Sequence, residues 1–274
     1  MSDVPFTGKV SGEYNWMGIE EIKAFDNGSL KNGKKTGLWT SYHDNGQLKS
    51  KGNYKDGKAI GEWVGYNNNG IKIFEGNYTD GPFYRYSESG QGILVEGYYS
   101  NGKKEGSWKE HYTGVDRCPI GSRHQPDLFK GYYSDTMRVL SLSKSNNFIT
   151  ICFAEGNYKN SNKNGEWIYY HQYGARVLAK GEYLHGKMSG SWEMYYPNGQ
   201  LSAKGVFDKS AKTGYWEFFY SNGQLQAFGN YIQGKYESMP DGSWIFFNED
   251  GSVNREEKWK NTERVLCVGD SKLC

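Results

Sequence analysis

Along most of the chain, short runs that alternate aromatic or β-branched residues with polar ones are cut at regular intervals by turn dipeptides. Trp192-Glu-Met-Tyr-Tyr196 and Leu201-Ser-Ala-Lys-Gly-Val-Phe207 are two such runs, and this alternation predicts β-strands. The intervening turns fall into two sets. One comprises Asn45-Gly46, Asn69-Gly70, Asn198-Gly199, Asn222-Gly223 and Asp250-Gly251. The other comprises Asp56-Gly57, Asp80-Gly81 and Asn101-Gly102, with His185-Gly186 and Gln233-Gly234 as variants. Asn-Gly and Asp-Gly are favoured where both central residues of a type I′ hairpin turn need positive φ, so both sets predict tight hairpins.

The pattern is periodic. A Gly-x-aromatic anchor places Trp39, Trp63, Phe83, Trp108, Trp167, Trp192, Trp216 and Trp244 two residues after a glycine. A second anchor, again two residues after a glycine, supplies Tyr54, Tyr78, Tyr99, Tyr133, Tyr158, Tyr183, Phe207 and Tyr231. The regular step in both ladders is 24 residues, as from Trp192 to Trp216 and from Phe207 to Tyr231. Two strands and two turns per period make an all-β, elongated, single-layer antiparallel β-meander, a repeat of hairpins with stability summed over neighbours. A further aromatic three residues after the Trp (Tyr42, Tyr66, Tyr86, Tyr170, Tyr195, Phe219, Phe247) lies on the opposite face unless a bulge intervenes.

The ladders also mark where regularity fails. The Tyr step from Tyr99 to Tyr133 is long, which puts an inserted loop at 113–127, and aliphatics replace the Trp in a degenerate repeat at 136–158. A smaller excursion lies at 232–241. The expected organisation is a capping segment at 1–26 with a worn first repeat around Trp16, a repeat array at 27–259, and a C-terminal cap or tail at 260–274.

Composition fits this picture. Glycine contributes 37 residues and proline 6, which suits repeated turns rather than collagen or low complexity. Aromatic residues reach 16%, which excludes a disordered chain. Lys and Arg number 33 against 31 Asp and Glu, so no global field argues for nucleic acid. The start, Met1-Ser-Asp-Val-Pro-Phe-Thr-Gly, has no apolar core for a signal peptide, and the expected location is the cytoplasm. Cys118, Cys152, Cys267 and Cys274 form no CxxC pair and read as reduced thiols.

No catalytic constellation emerges. The five histidines show no metal-ligand spacing, and His43 and His171 occupy the repeat position held elsewhere by Tyr196 and Tyr220. The inserted loop brings Cys118 and His124 near Asp116 and Asp127, without an evident third ligand or orienting group. Gly33-Lys-Lys-Thr-Gly37 lacks the P-loop pattern, and its lysines are expected on the solvated side. The aromatic ladders are expected to pack ring on ring, or to leave one face partly open to a partner, and both can hold at once, one per face. No enzyme activity, cofactor or metal is expected.

The unit Tyr195-Tyr-Pro-Asn-Gly-Gln-Leu-Ser-Ala-Lys-Gly-Val-Phe207, with Gly52-Asn-Tyr-Lys-Asp-Gly-Lys-Ala-Ile-Gly-Glu-Trp63, resembles the MORN-repeat variant of bacterial YwqK-type antitoxin proteins. The resemblance covers roughly residues 27–259 and implies an elongated sheet of successive hairpins. It also implies an immunity or antitoxin protein that neutralises a cognate toxin by direct protein–protein binding. The pattern contains no catalytic residue to carry over. Loop extensions on rigid scaffolds commonly hold specificity. Asp116, Arg117, Arg123, His124 and Asp127 are therefore the expected partner contacts. The alternative is a structural or membrane-surface scaffold.

Overall fold

The computed structural model describes residues 6–15, 23–113, 150–171, 176–234, 238–260 and 263–269. The expected all-β meander is observed, and the strand pairings among the described residues, such as β1 with β2 and β12 with β13, are antiparallel. The first strands are β1 (Gly8–Asn15), β2 (Lys23–Lys31), β3 (Lys34–Tyr42), β4 (Leu48–Lys55), β5 (Lys58–Tyr66), β6 (Lys72–Asn77), β7 (Gly81–Tyr86), β8 (Ile93–Ser100) and β9 (Lys103–Thr113). They are followed by β10 (Thr150–Lys159), β11 (Asn162–His171), β12 (Val177–Leu184), β13 (Lys187–Tyr195), β14 (Leu201–Asp208) and β15 (Ala211–Phe219). The last are β16 (Leu225–Gln233), β17 (Ser238–Phe247), β18 (Val253–Lys260) and β19 (Glu263–Gly269). The chain divides into two compact units. The first holds β1 to β8, β9 as far as Glu110, and Tyr158–Asn162; the second holds β9 from His111, β10 as far as Asn157, and β11 from Lys163 through β19.

Two register shifts recur along the array, although β6 and β7 pair without one. Between β12 and β13, Gly181 faces Trp192 while the next residue, Glu182, faces Ser189. Gly190 and Ser191 are thus extra on that side, and Gly190 takes the left-handed φ of +65° that such a bulge needs. Between β13 and β14, Met194 faces Ala203 but Tyr195 faces Leu201, so Ser202 is extra on β14. Neither shift interrupts β13 between Trp192 and Tyr195. The aromatic pair three residues apart therefore straddles the sheet: Trp192 and Met194 are buried on one face, Glu193 and Tyr195 half-exposed on the other.

The two edges use different turns. Asp56-Gly57, Asn101-Gly102 and His185-Gly186 have positive φ at both residues, as type I′ requires. Asn45-Gly46, Asn69-Gly70, Asn198-Gly199, Asn222-Gly223 and Asp250-Gly251 have it only at glycine, which corrects the expectation of type I′ throughout. There the Gly N–H closes a type I turn, as Gly199 N donates to Tyr196 O at 2.9 Å, and the left-handed glycine returns the chain to the next strand. Asp80-Gly81 forms neither turn, since Gly81 has a φ of 151° and starts β7.

Candidate interaction surfaces

The tryptophan face is built from small residues upward. The ring of Trp192 lies so flat on Gly181 that a Cβ there would stand 2.3 Å from it, and Trp39, Trp63, Trp108, Trp167, Trp216 and Trp244 repeat this on Gly28, Gly52, Gly97, Gly156, Gly205 and Gly229. The indole N–H is satisfied by backbone carbonyls next to the bulge: Trp192 Nε1 donates to Glu182 O and Ser189 O, both at 3.2 Å. Edge-to-face contacts then run through each unit. In the second they link Trp167, Tyr183, Trp192, Phe207, Trp216, Tyr231 and Trp244, with ring centroids 5.0–6.3 Å apart. In the first, Trp39, Tyr54, Trp63, Tyr78, Phe83, Tyr99, Trp108 and Tyr158 form the corresponding series, edge-to-face except for the tilted Tyr78–Phe83 pair. Such pairs add roughly 0.5–1.5 kcal/mol each beyond the area they bury.

A lysine four residues before the Trp caps several rings. Lys35, Lys104 and Lys163 place Nζ 4.0, 4.2 and 3.6 Å from the centroids of Trp39, Trp108 and Trp167. Lys212, only 7% exposed, is surrounded by the rings of Trp216, Phe218 and Tyr231. This corrects the expectation that the lysines of the Gly-flanked runs stay on the solvated side. The aliphatic stem covers the ring while the ammonium gains a cation–π contact. The row beside the tryptophans differs between the units. In the second, Tyr169, Met194, Phe218 and Phe246 alternate with Ala179, Ala203 and Ala227 across the strands. In the first, Ser41, Ser50 and Gly65 stand in that row, and Phe74 leans over Gly65.

The opposite face carries a ladder of Lys, Glu and Tyr. Lys180 pairs with Glu193 at 2.8 Å and Lys204 with Glu217 at 2.6 Å, while the Tyr195 hydroxyl donates to Glu193. In the first unit Lys72 pairs with Glu75 at 2.8 Å and Tyr86 donates to the same carboxylate at 2.6 Å. The bond to Glu75, with burial second, pushes the Tyr86 phenol up to about 12. Lys72 and then Tyr86 hold Glu75 below its ordinary value. Tyr170, donating to Glu155 at 2.7 Å, is likewise raised to about 12, by burial first and that bond second. Exposed apolar side chains interleave with these charges: Leu38 and Tyr98 in the first unit, Val206, Tyr215 and Ile232 in the second. A groove of about 580 Å³ runs across this face of the first unit, lined among others by Leu38, Lys51, Glu62, Val64, Glu75 and Tyr84.

Of the ladder residues named from the sequence, Tyr133 lies outside the described residues. The predicted contacts Asp116, Arg117, Arg123, His124 and Asp127 also lie outside them, as do Trp16, Cys118 and most of the 113–127 insertion. His43 does fill the slot of Tyr196 and Tyr220. Its Nε2 meets Tyr66 O at 2.8 Å, just as the Tyr196 and Tyr220 hydroxyls donate to Phe219 O and Phe247 O at 2.7 Å. Among the described residues no three His, Cys, Asp or Glu side chains converge as metal ligands. Reasoning from sequence missed the Lys–Glu–Tyr ladder, whose signal was a Glu directly after Trp192 and Trp216 and a Lys directly before Gly181 and Gly205.

Three of these repeats match a known family model. They are similar to the MORN repeat variant, whose model matches residues 35–56, 188–209 and 212–233. Each matched stretch begins on the strand that leaves a type I′ edge turn and contains a bulge glycine, a Trp, an Asn-Gly turn and the next ring-bearing glycine, as in Gly190, Trp192, Asn198-Gly199 and Gly205. The MORN variant is a non-enzymatic repeat type that mediates binding to proteins or membranes. A comparison with curated proteins finds no match.

Proposed function

We propose that this protein is an immunity or antitoxin protein that binds and occludes a cognate bacterial toxin in the cytoplasm, without catalysing a reaction. The observation that supports this most is the face opposite the tryptophans. Its ladder is held in place by ion pairs and phenol–carboxylate bonds, and exposed apolar side chains stand between the charges. Such a mixture suits a polar, rim-rich protein interface in which aromatic and aliphatic anchors supply affinity and charges supply register. The inserted loop would add specificity through Asp116, Arg117, Arg123, His124 and Asp127.

The test is co-expression with each product of the open reading frames that flank this gene, assayed first for toxicity on its own. Restored growth and a complex that survives size-exclusion chromatography are the expected results. A chain lacking residues 114–126 should remain folded, by thermal melting, and bind at least tenfold more weakly. Failure to protect, together with flotation of the pure protein on anionic liposomes, would replace this reading with a membrane-surface scaffold.

A further inference from the structure

Eight Asn-Gly dipeptides occur in the chain, and four of them close type I turns, at Asn45 and Asn69 in the first unit and at Asn198 and Asn222 in the second. This dipeptide is chemically labile: the glycine amide nitrogen can attack the Asn Cγ. The turn environments of these four differ in one respect. Asn45 and Asn198 are held at both ends of the side chain. The Asn45 Nδ2 donates to Asn68 O at 2.7 Å in the next turn and its Oδ1 accepts from Gln47 N at 3.0 Å. Asn198 repeats this with Ser221 O at 2.7 Å and Gln200 N at 3.0 Å. Asn222 keeps the local bond, accepting from Gln224 N at 2.9 Å, but the following repeat is longer and no bond from its Nδ2 reaches the next turn.

At Asn69 both tasks have moved two residues upstream. The Asn67 Nδ2 donates to Glu88 O at 2.8 Å, and its Oδ1 accepts from Asn69 N and Ile71 N, each at 3.0 Å. The side chain of Asn69 is left with none of these bonds. All four Asn side chains are exposed and all four Gly N–H groups close the turn at 2.8–3.0 Å, so neither solvent access nor the nucleophile separates them.

We infer that Asn69 is a self-modifying site, the first of these residues to deamidate in the folded protein, followed by Asn222, with Asn45 and Asn198 last. The Gly70 nitrogen, losing its proton to solvent hydroxide, bonds to Asn69 Cγ; water protonates Nδ2, the Cγ–Nδ2 bond breaks and ammonia leaves. Water then opens the succinimide at either carbonyl, giving Asp or isoAsp and one added negative charge. A clamped amide must first break its bonds to reach the nucleophile. Two neutral hydrogen bonds correspond to a slowing of about tenfold or more.

The experiment incubates the full chain at mildly alkaline pH, folded and in denaturant, and follows each Asn-Gly peptide by mass spectrometry with separation of Asp from isoAsp. The expected order in the folded protein is Asn69, Asn222, then Asn45 and Asn198, with the ranking collapsing in denaturant. Equal rates at Asn45 and Asn69 in the folded protein would overturn the assignment, as would the same ranking in the denatured chain. The variant Asn69→Asp should reproduce the new charge and leave the melting temperature unchanged, because no bond is lost. A marked fall would also count against it.

Discussion

Glycine does three separate jobs within one repeat, and the substitutions that reveal them differ accordingly. Gly199 supplies a turn with a φ of +90° and has nothing within 4 Å of an added Cβ, so Gly199→Ala carries only left-handed strain, about 1–2 kcal/mol. Gly181 has ordinary backbone, yet its Cβ would meet the Trp192 ring at 2.3 Å. That ring is held by its two indole hydrogen bonds and wedged between Tyr183 and Phe207. Gly181→Ala is expected to cost about 3 kcal/mol or more. Urea unfolding of the two variants checks this, and equal costs would refute the ring-on-glycine account. The spacing of these glycines is plain in the sequence. Their different duties are not, because a one-letter pattern treats a positive φ and a close approach alike.

At the scale of the element, the turns show the same partial legibility. The type I′ edge reads directly where Asp56-Gly57 or Asn101-Gly102 occupies it. It is invisible at Asn160-Ser161 and Lys209-Ser210, where side-chain residues hold φ of 51°, 65°, 49° and 72°. Ser210 has a use at its position, since its hydroxyl accepts from Met188 N at 3.0 Å. Lys209 has no such bond and carries the left-handed cost with a residue poorly suited to it. Lys209→Asn should therefore stabilise the protein by about 0.5–1 kcal/mol, measured by thermal or urea denaturation. The other edge was read with the right positions and the wrong turn. An Asn that accepts from the backbone N–H two residues on, as Asn198 does from Gln200, favours a type I turn with a left-handed glycine over type I′.

For the molecule as a whole, the repeat and both aromatic ladders follow from periodicity, because rings that stack between neighbours must recur at fixed offsets. The surfaces do not. Whether the row beside the tryptophans is apolar, as with Met194 and Phe218, or polar, as with Ser41 and Ser50, depends on positions the period leaves free. The loop residues expected to contact a partner lie outside the described residues, and partner identity resides in side chains that no repeat constrains. The ladder itself has an optical consequence. Most of its tryptophans, Trp167 and Trp216 among them, are fully enclosed, and each stands within about 6 Å of a tyrosine or phenylalanine. Light absorbed by ladder tyrosines should pass to the indoles before it can be emitted. Native protein excited where tyrosine absorbs should fluoresce almost wholly as blue-shifted tryptophan. A tyrosine band that rises on unfolding would then report, without any label, how many rungs of the ladder have come apart.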